Sequence, residues 1–122
     1  MRKLLLAVLV IFLAAGTVSA VSIDLGNFPI GKWLDKNYDA IWDFTSSNIK
    51  ILAPDGTEYF DFSKNTVKDF KVSASSSGAV ITFSCEEAGR SYKITKPLTN
   101  MDLILEIDRP DKEHYKVEMK KQ

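Results

Sequence analysis

The sequence predicts an all-β domain, an antiparallel up-and-down barrel of eight short strands, with a β-sandwich as the alternative. Three observations lead to this fold class. Apolar and polar side chains alternate along most of residues 38–120, as they do in half-buried strands. Turn-forming residues interrupt this alternation every few positions. After the first twenty residues, the sequence has no long apolar repeat of helical period.

The first twenty residues have the layout of a secretory signal peptide. Arg2 and Lys3 precede an unbroken apolar run from Leu4 to Ala15, and Val18-Ser19-Ala20 supplies small residues where a signal peptidase cleaves. As a helix this run spans about 18 Å, against about 30 Å of bilayer hydrocarbon, which disfavours the alternative of a membrane anchor. We expect a mature protein that begins at Val21, is periplasmic or extracellular, and has no stable insertion in a membrane.

Residues 21–122 have the length of a single domain that can bury one core. The chain carries 16 basic and 16 acidic side chains, and the two signs are interspersed along it. A nucleic-acid-binding protein usually presents a basic patch or stripe instead. We therefore expect one domain and no nucleic-acid partner.

The predicted strands follow one another with short connections. They lie near residues 38–45, 48–53, 58–63, 66–73, 79–85, 90–95, 101–108 and 113–120. Pro54-Asp55-Gly56 illustrates the turns, because proline presets φ and glycine accepts a positive φ. Connections of a few residues favour hairpins between consecutive strands, and closure of such a meander into a barrel removes its free edges.

The single cysteine, Cys85, follows Ile81 and Phe83 at alternate positions. This spacing places it on the apolar face of a strand, so we expect a buried and inert thiol. The alternatives are a reactive thiol or an intermolecular disulfide.

Gly31-Lys32-Trp33 lies just ahead of the first predicted strand. In this feature, and in its strand order, the sequence resembles the lipocalin and lipocalin-like families, whose eight-stranded barrels open with Gly-x-Trp. The resemblance implies that Trp33 caps one barrel end, that Gly31 permits a close backbone approach, and that Arg109 is the late arginine that packs on the tryptophan. True lipocalins are longer and carry an external helix and a second turn motif that have no counterpart here. The alternative for Trp33 is an exposed aromatic residue in an amino-terminal arm.

Aromatic side chains are spread over the predicted strands, where they could line a ligand cavity inside the barrel or fill its interior completely. The candidate lining residues are Trp42, Phe44, Phe60, Phe62, Phe70, Phe83, Tyr92 and Tyr115.

Nothing in the sequence points to catalysis. His114, the single histidine, lies on the polar register of the last strand and is expected to be solvated. One histidine cannot build the zinc sites that hydrolytic enzymes use, and no Gly-x-Ser-x-Gly motif is present. We therefore expect no enzyme, no metal and no cofactor.

Two functions remain as expectations. The first is an exported binding protein that holds a small apolar ligand in its barrel. The alternative is a solid barrel that contacts a partner protein through its loops, as an interaction or inhibitor module. The sequence names neither the ligand nor the partner.

Overall fold

The computed structural model describes residues 23–26 and 28–122. The predicted signal peptide and its cleavage point lie outside these residues. Within the described part, no helix is long and apolar enough to cross a membrane.

The described chain consists of strands joined by turns, with one short 3₁₀ turn at Phe62–Lys64. The nine strands are β1 (Gly31–Asp35), β2 (Ala40–Thr45), β3 (Asn48–Leu52), β4 (Glu58–Asp61), β5 (Val67–Ser75), β6 (Gly78–Cys85), β7 (Arg90–Pro97), β8 (Leu103–Asp108) and β9 (Tyr115–Lys121). The all-β prediction is confirmed.

All nine strands belong to one antiparallel sheet in the order β4-β3-β2-β1-β9-β8-β7-β6-β5. Neighbours in the sheet are also neighbours in the sequence, except where β1 pairs with β9. The β1–β9 pairing curls the sheet into a half-barrel, while consecutive strands β4 and β5 form its two edges. The prediction of an up-and-down meander is therefore confirmed, and the sheet opens between β4 and β5.

The additional strand is β1, which contains the Gly-x-Trp sequence. Eight strands were expected, with Trp33 ahead of the first of them. Instead, Trp33 lies inside a strand and pairs with Trp42 on β2 and Lys121 on β9. Strand β1 was missed because its five residues are too few to establish an alternating pattern. Its second inward-facing residue is also a carboxylate, Asp35, rather than an apolar side chain.

The half-barrel has two ends, which differ in how they are closed. The first, which we name the Met101 end, holds residues 23–26, the β2–β3 turn, the β5–β6 turn and the β7–β8 loop around Met101. The second, the Tyr115 end, holds the β1–β2, β3–β4 and β6–β7 turns, the β8–β9 loop and the start of β9.

The Met101 end is closed by apolar side chains from the amino-terminal segment. Leu25 is fully buried, and its backbone N–H donates to the carbonyl of Ser46 over 3.1 Å. Phe28 is also buried and packs on Phe44 with ring centroids 5.8 Å apart. Sequence reasoning placed no part of this segment in the core.

Trp33 completes the closure of the Met101 end. Its side chain is 1% exposed and lies edge-on against Phe44. The indole N–H donates to the carbonyl oxygen of Met101 over 2.8 Å. Gly31 has φ +137°, which favours glycine, and a Cβ there would lie 2.7 Å from Lys121 Nζ, so the glycine leaves room for the lysine that lies over the Trp33 ring. Trp33 is thus a buried core residue and not an exposed aromatic in an arm.

The centre of the half-barrel is filled by Phe62, from the 3₁₀ turn that links the two edge strands. Its side chain has no exposed surface. Its ring centroid lies 5.2 Å from those of both Phe83 and Tyr92, and 5.7 Å from that of Trp42. A chain segment that carries no strand therefore supplies the central core residue.

Candidate functional site

A pocket of about 260 Å³ opens at the Tyr115 end of the half-barrel. We name it the end pocket. Its walls come from strands β1, β2, β3, β7, β8 and β9, from the β1–β2 turn and from the β8–β9 loop. Its lining residues are Asp35, Tyr38, Ala40, Trp42, Ile51, Arg90, Tyr92, Ile107, Arg109, Lys112 and Tyr115.

A buried carboxylate network holds one wall of the end pocket. Asp35 is 2% exposed, and both of its carboxylate oxygens lie 2.8 Å from the Tyr115 hydroxyl, which donates to them. The Asn37 side-chain amide donates to the same hydroxyl over 3.0 Å, and its backbone N–H donates to Asp35 Oδ1. Both carboxylate oxygens of Asp35 accept hydrogen bonds within this network, so the buried carboxylate positions the Tyr115 side chain.

Burial raises the pKa of the Tyr115 hydroxyl to about 12, and the adjacent Asp35 carboxylate adds to this shift. The hydroxyl is therefore protonated at neutral pH and acts as a donor to Asp35. Because the hydroxyl hydrogen is directed at Asp35, the arrangement is suited to holding the Tyr115 ring in place as a wall of the pocket.

The Tyr115 ring is also fixed by neighbouring side chains. Tyr38, which is 60% exposed, packs on it with ring centroids 5.4 Å apart. The Arg109 guanidinium carbon lies 5.4 Å from the Tyr115 ring centroid. The Nε and Nη2 groups of Arg109 both donate to the carbonyl of Glu113, which anchors the guanidinium across the β8–β9 loop.

Arg109 is thus placed differently from the position implied by the resemblance to lipocalins. Arg109 follows the last residue of β8, whereas Met101 lies just before the first residue of that strand. The Met101 carbonyl accepts the hydrogen bond of the Trp33 indole, so Arg109 lies at the opposite end of β8 from Trp33. The cation over Trp33 is Lys121, whose Nζ is 4.6 Å from the ring centroid. The β1–β9 pairing sets Lys121 directly beside Trp33, while Arg109 has Tyr115 as its neighbour.

Three cations, Arg90, Arg109 and Lys112, stand together around the end pocket. We name this group the cationic rim. No described carboxylate lies within ion-pair distance of any of the three. Burial raises the pKa of the nearby Tyr92 hydroxyl to about 12, while the charge and hydrogen bond of Arg90 act in the opposite direction.

The eight aromatic residues proposed as a cavity lining fall into two groups. Trp42, Tyr92 and Tyr115 line the end pocket. The others pack in or against the core: Phe44, Phe62 and Phe83 are buried, and Phe60 and Phe70 are partly buried. Around Phe62 the aromatic rings fill the interior, so the space for a ligand lies at the end of the half-barrel.

Sequence reasoning did not identify several residues of the end pocket. Asp35 lies ahead of the first predicted strand, Tyr38 and Arg90 are the first residues of predicted strands, and Lys112 lies in the last predicted turn. The structure instead places Tyr38 in the β1–β2 turn, where its ring packs on Tyr115. The four residues converge through the pairing of distant strands, which the local sequence pattern does not show.

The outer face of strands β6, β7 and β8 carries two shallow depressions, of about 460 and 370 Å³, which share Ser84, Ser91, Asp108 and His114. His114 lies between two carboxylates, with Nδ1 2.6 Å from Asp108 and Nε2 3.2 Å from Glu106. These hydrogen bonds, first that of Asp108 and then that of Glu106, raise the pKa of the imidazole. The side chain is 48% exposed, as expected for a residue on the polar register, and both of its ring nitrogens are paired.

Cys85 is 1% exposed, which confirms the prediction of a buried thiol. Burial raises its pKa, so the reactive thiolate is disfavoured. Among residues 23–26 and 28–122, no cluster of histidine, cysteine and carboxylate side chains is arranged to hold a metal ion.

Comparison of the chain with protein-family models, curated proteins and solved structures finds no match. The case for a function therefore rests on the geometry of the end pocket.

Proposed function

We propose that this chain is an exported, non-catalytic binding protein that takes a small ligand in the end pocket. Export is supported by the signal-peptide layout of residues 1–20. Binding is supported by one observation above all, a pocket at the open end of a filled half-barrel whose walls combine aromatic and aliphatic side chains with one carboxylate and three cations. Leu25, Phe28 and Trp33 close the Met101 end, so the Tyr115 end is the one that offers an opening for a ligand.

The pocket walls have the composition that small-molecule sites share. Trp42, Ile51, Ile107 and Tyr115 supply apolar surface. The Asp35 network fixes Tyr115 before a ligand arrives, and a preformed wall lowers the entropy lost on binding. The ligand is expected to be small, because pockets for drug-sized molecules measure about 300–1,000 Å³.

An NMR fragment titration tests this proposal, because Trp42 lines the end pocket whereas its cross-strand neighbour Trp33 does not. Ligands in the end pocket should shift the indole N–H signal of Trp42 more than that of Trp33. Ala40 lines the pocket, so Ala40→Leu should fill it and weaken binding. The control Ala74→Leu adds the same volume at an exposed position of β5 and should leave binding unchanged. Fragments that shift neither indole, or that bind equally to Ala40→Leu, would contradict the proposal.

A second candidate function, a protein-interaction module, is favoured by the free edge of β5. This nine-residue strand pairs with β6 on one side, while its other side forms the edge of the sheet. A bulge between Lys68 and Lys71, with Asp69 at φ +56°, disrupts the first half of this edge, but Val72–Ser75 continues in regular register. An edge of this kind can accept an extended segment of a partner protein.

This second candidate predicts that Ser73→Pro or Ala74→Pro reduces partner binding, since proline removes a backbone donor from the edge. Proline at the residue whose N–H faces the open side should reduce partner binding. Proline at the residue whose N–H pairs with β6 should instead destabilise the fold. Equal partner binding by both folded variants would exclude the edge as the docking surface.

A further inference from the structure

We propose that the ligand of the end pocket is a small aromatic anion, an aryl carboxylate or aryl sulfonate, whose acidic group lies against the cationic rim. This inference rests on the proposed function and specifies the chemical class of the ligand. It is carried by the charges around the pocket, by the pocket's volume and by the aromatic side chains in its walls.

The charge balance of the pocket favours an anion. Three cations and one carboxylate line it, and that carboxylate, Asp35, is already bonded to Tyr115 and to the backbone of Asn37. An anion at the rim is therefore opposed by one buried charge and attracted by three. Anionic groups recognised by two or more basic side chains form charge-assisted hydrogen bonds, which are stronger than neutral ones.

The two carboxylates that line the neighbouring depression, Glu86 and Asp108, have other partners. Asp108 is paired with His114, 2.6 Å away, and Glu86 is paired with Lys68. Neither carboxylate forms an ion pair with Arg90, Arg109 or Lys112, which line the same depression, so the rim has charge available for a ligand.

The rim is also partly preorganised. Two hydrogen bonds to the Glu113 carbonyl and the contact with the Tyr115 ring hold Arg109 in place. Immobilised basic groups lose less conformational entropy when an anion binds than freely moving ones do. Lys112 is exposed and supplies a mobile third cation.

The volume of the pocket limits the apolar part of the ligand to one or two rings. A cavity of about 150 Å³ is enough for benzene, so about 260 Å³ accommodates a somewhat larger ring system but no long acyl chain. Tyr38, Trp42 and Tyr115 offer aromatic surface around that volume. Aromatic rings pair favourably with one another in tilted or offset geometry, which favours an aryl ligand over an alkyl one.

A matched pair of probes isolates the effect of charge. Naphthalene-2-sulfonate and naphthalene-2-sulfonamide have nearly the same shape, and the first is an anion whereas the second is neutral at neutral pH. With the protein expressed from its full-length sequence, the sulfonate should bind roughly ten-fold more tightly at low salt, and added salt should reduce that advantage. Calorimetry measures the affinity, and the Trp42 indole N–H signal reports the site.

Variants then assign the advantage to the rim. Arg90→Gln and Lys112→Gln should each weaken sulfonate binding by about three- to five-fold, the range for an exposed ion pair, and leave sulfonamide binding unchanged. Lys71→Gln and Lys116→Gln remove the same charge at exposed positions outside the pocket and serve as controls. Both Arg90 and Lys112 are exposed, so their loss should leave the fold intact.

The outcomes separate the two proposals. If both probes shift Trp42 with equal affinity, the anion specificity is wrong while the proposed binding function stands. If the control lysine variants weaken sulfonate binding as much as the rim variants, the attraction is a property of the whole surface and the inference fails. Cyclohexanesulfonate binding as tightly as the naphthyl compound would overturn the aromatic part, and the absence of binding by either probe would count against both proposals.

Discussion

Replacement of Phe62 by alanine tests the conclusion that a non-strand residue fills the half-barrel. Phe62 has no exposed surface and contacts four aromatic rings, including that of Phe60 at a centroid distance of 4.8 Å. The substitution removes about 100 Å³ of side chain, and each cubic ångström left empty costs about 24 cal/mol. With the lost transfer free energy, we expect Phe62→Ala to reduce the free energy of unfolding by about 3–5 kcal/mol.

Such a loss is a large part of the roughly 5–15 kcal/mol that stabilises a domain of this size. Urea denaturation followed by tryptophan fluorescence measures it. Phe62→Leu, which keeps most of the volume, should cost less than about 1.5 kcal/mol and guards against a variant that fails to fold. Phe60→Ala is the matched control, because Phe60 is partly buried and should lose about half as much. A loss for Phe62→Ala no greater than that for Phe60→Ala would refute the assignment of Phe62 as the central core residue.

Three further predictions follow from the same structure. Trp33→Ala should reduce the free energy of unfolding, measured by urea denaturation, by about 3–5 kcal/mol. Trp33→Phe should reduce it by about 1–2 kcal/mol, since this variant loses chiefly the hydrogen bond to Met101. An unchanged denaturation midpoint would show that Trp33 is not a core residue. Cys85 should react slowly with a thiol reagent in the native protein and rapidly in denaturant, and equal rates would show that the thiol is exposed. Because the folded-state pKa of His114 is raised, its stabilising contribution should be complete below about pH 6.5 and disappear as the pH rises through the folded-state value. Thermal melts of the wild type and His114→Gln across that range should converge at high pH, and a constant difference would contradict the Asp108 pairing.

The sequence by itself was sufficient to predict the fold class and most of the strands. Alternation of apolar and polar side chains indicates strands with one buried and one exposed face. Short turns such as Pro54-Asp55-Gly56 join consecutive strands as hairpins, so an antiparallel meander follows from the local sequence. The burial of Cys85 was predictable for the same reason, because Ile81 and Phe83 share its face of the strand.

The tertiary structure alone decided where that meander opens and what fills it. Strand β1 depends on its pairing with β9, almost the whole length of the domain away in sequence, and this pairing places Lys121 rather than Arg109 over Trp33. The position of Phe62 depends on the gap between β4 and β5, which no local pattern encodes. The end pocket likewise gathers side chains from separate turns and strands, because the curvature of the whole sheet determines which of them converge at one end.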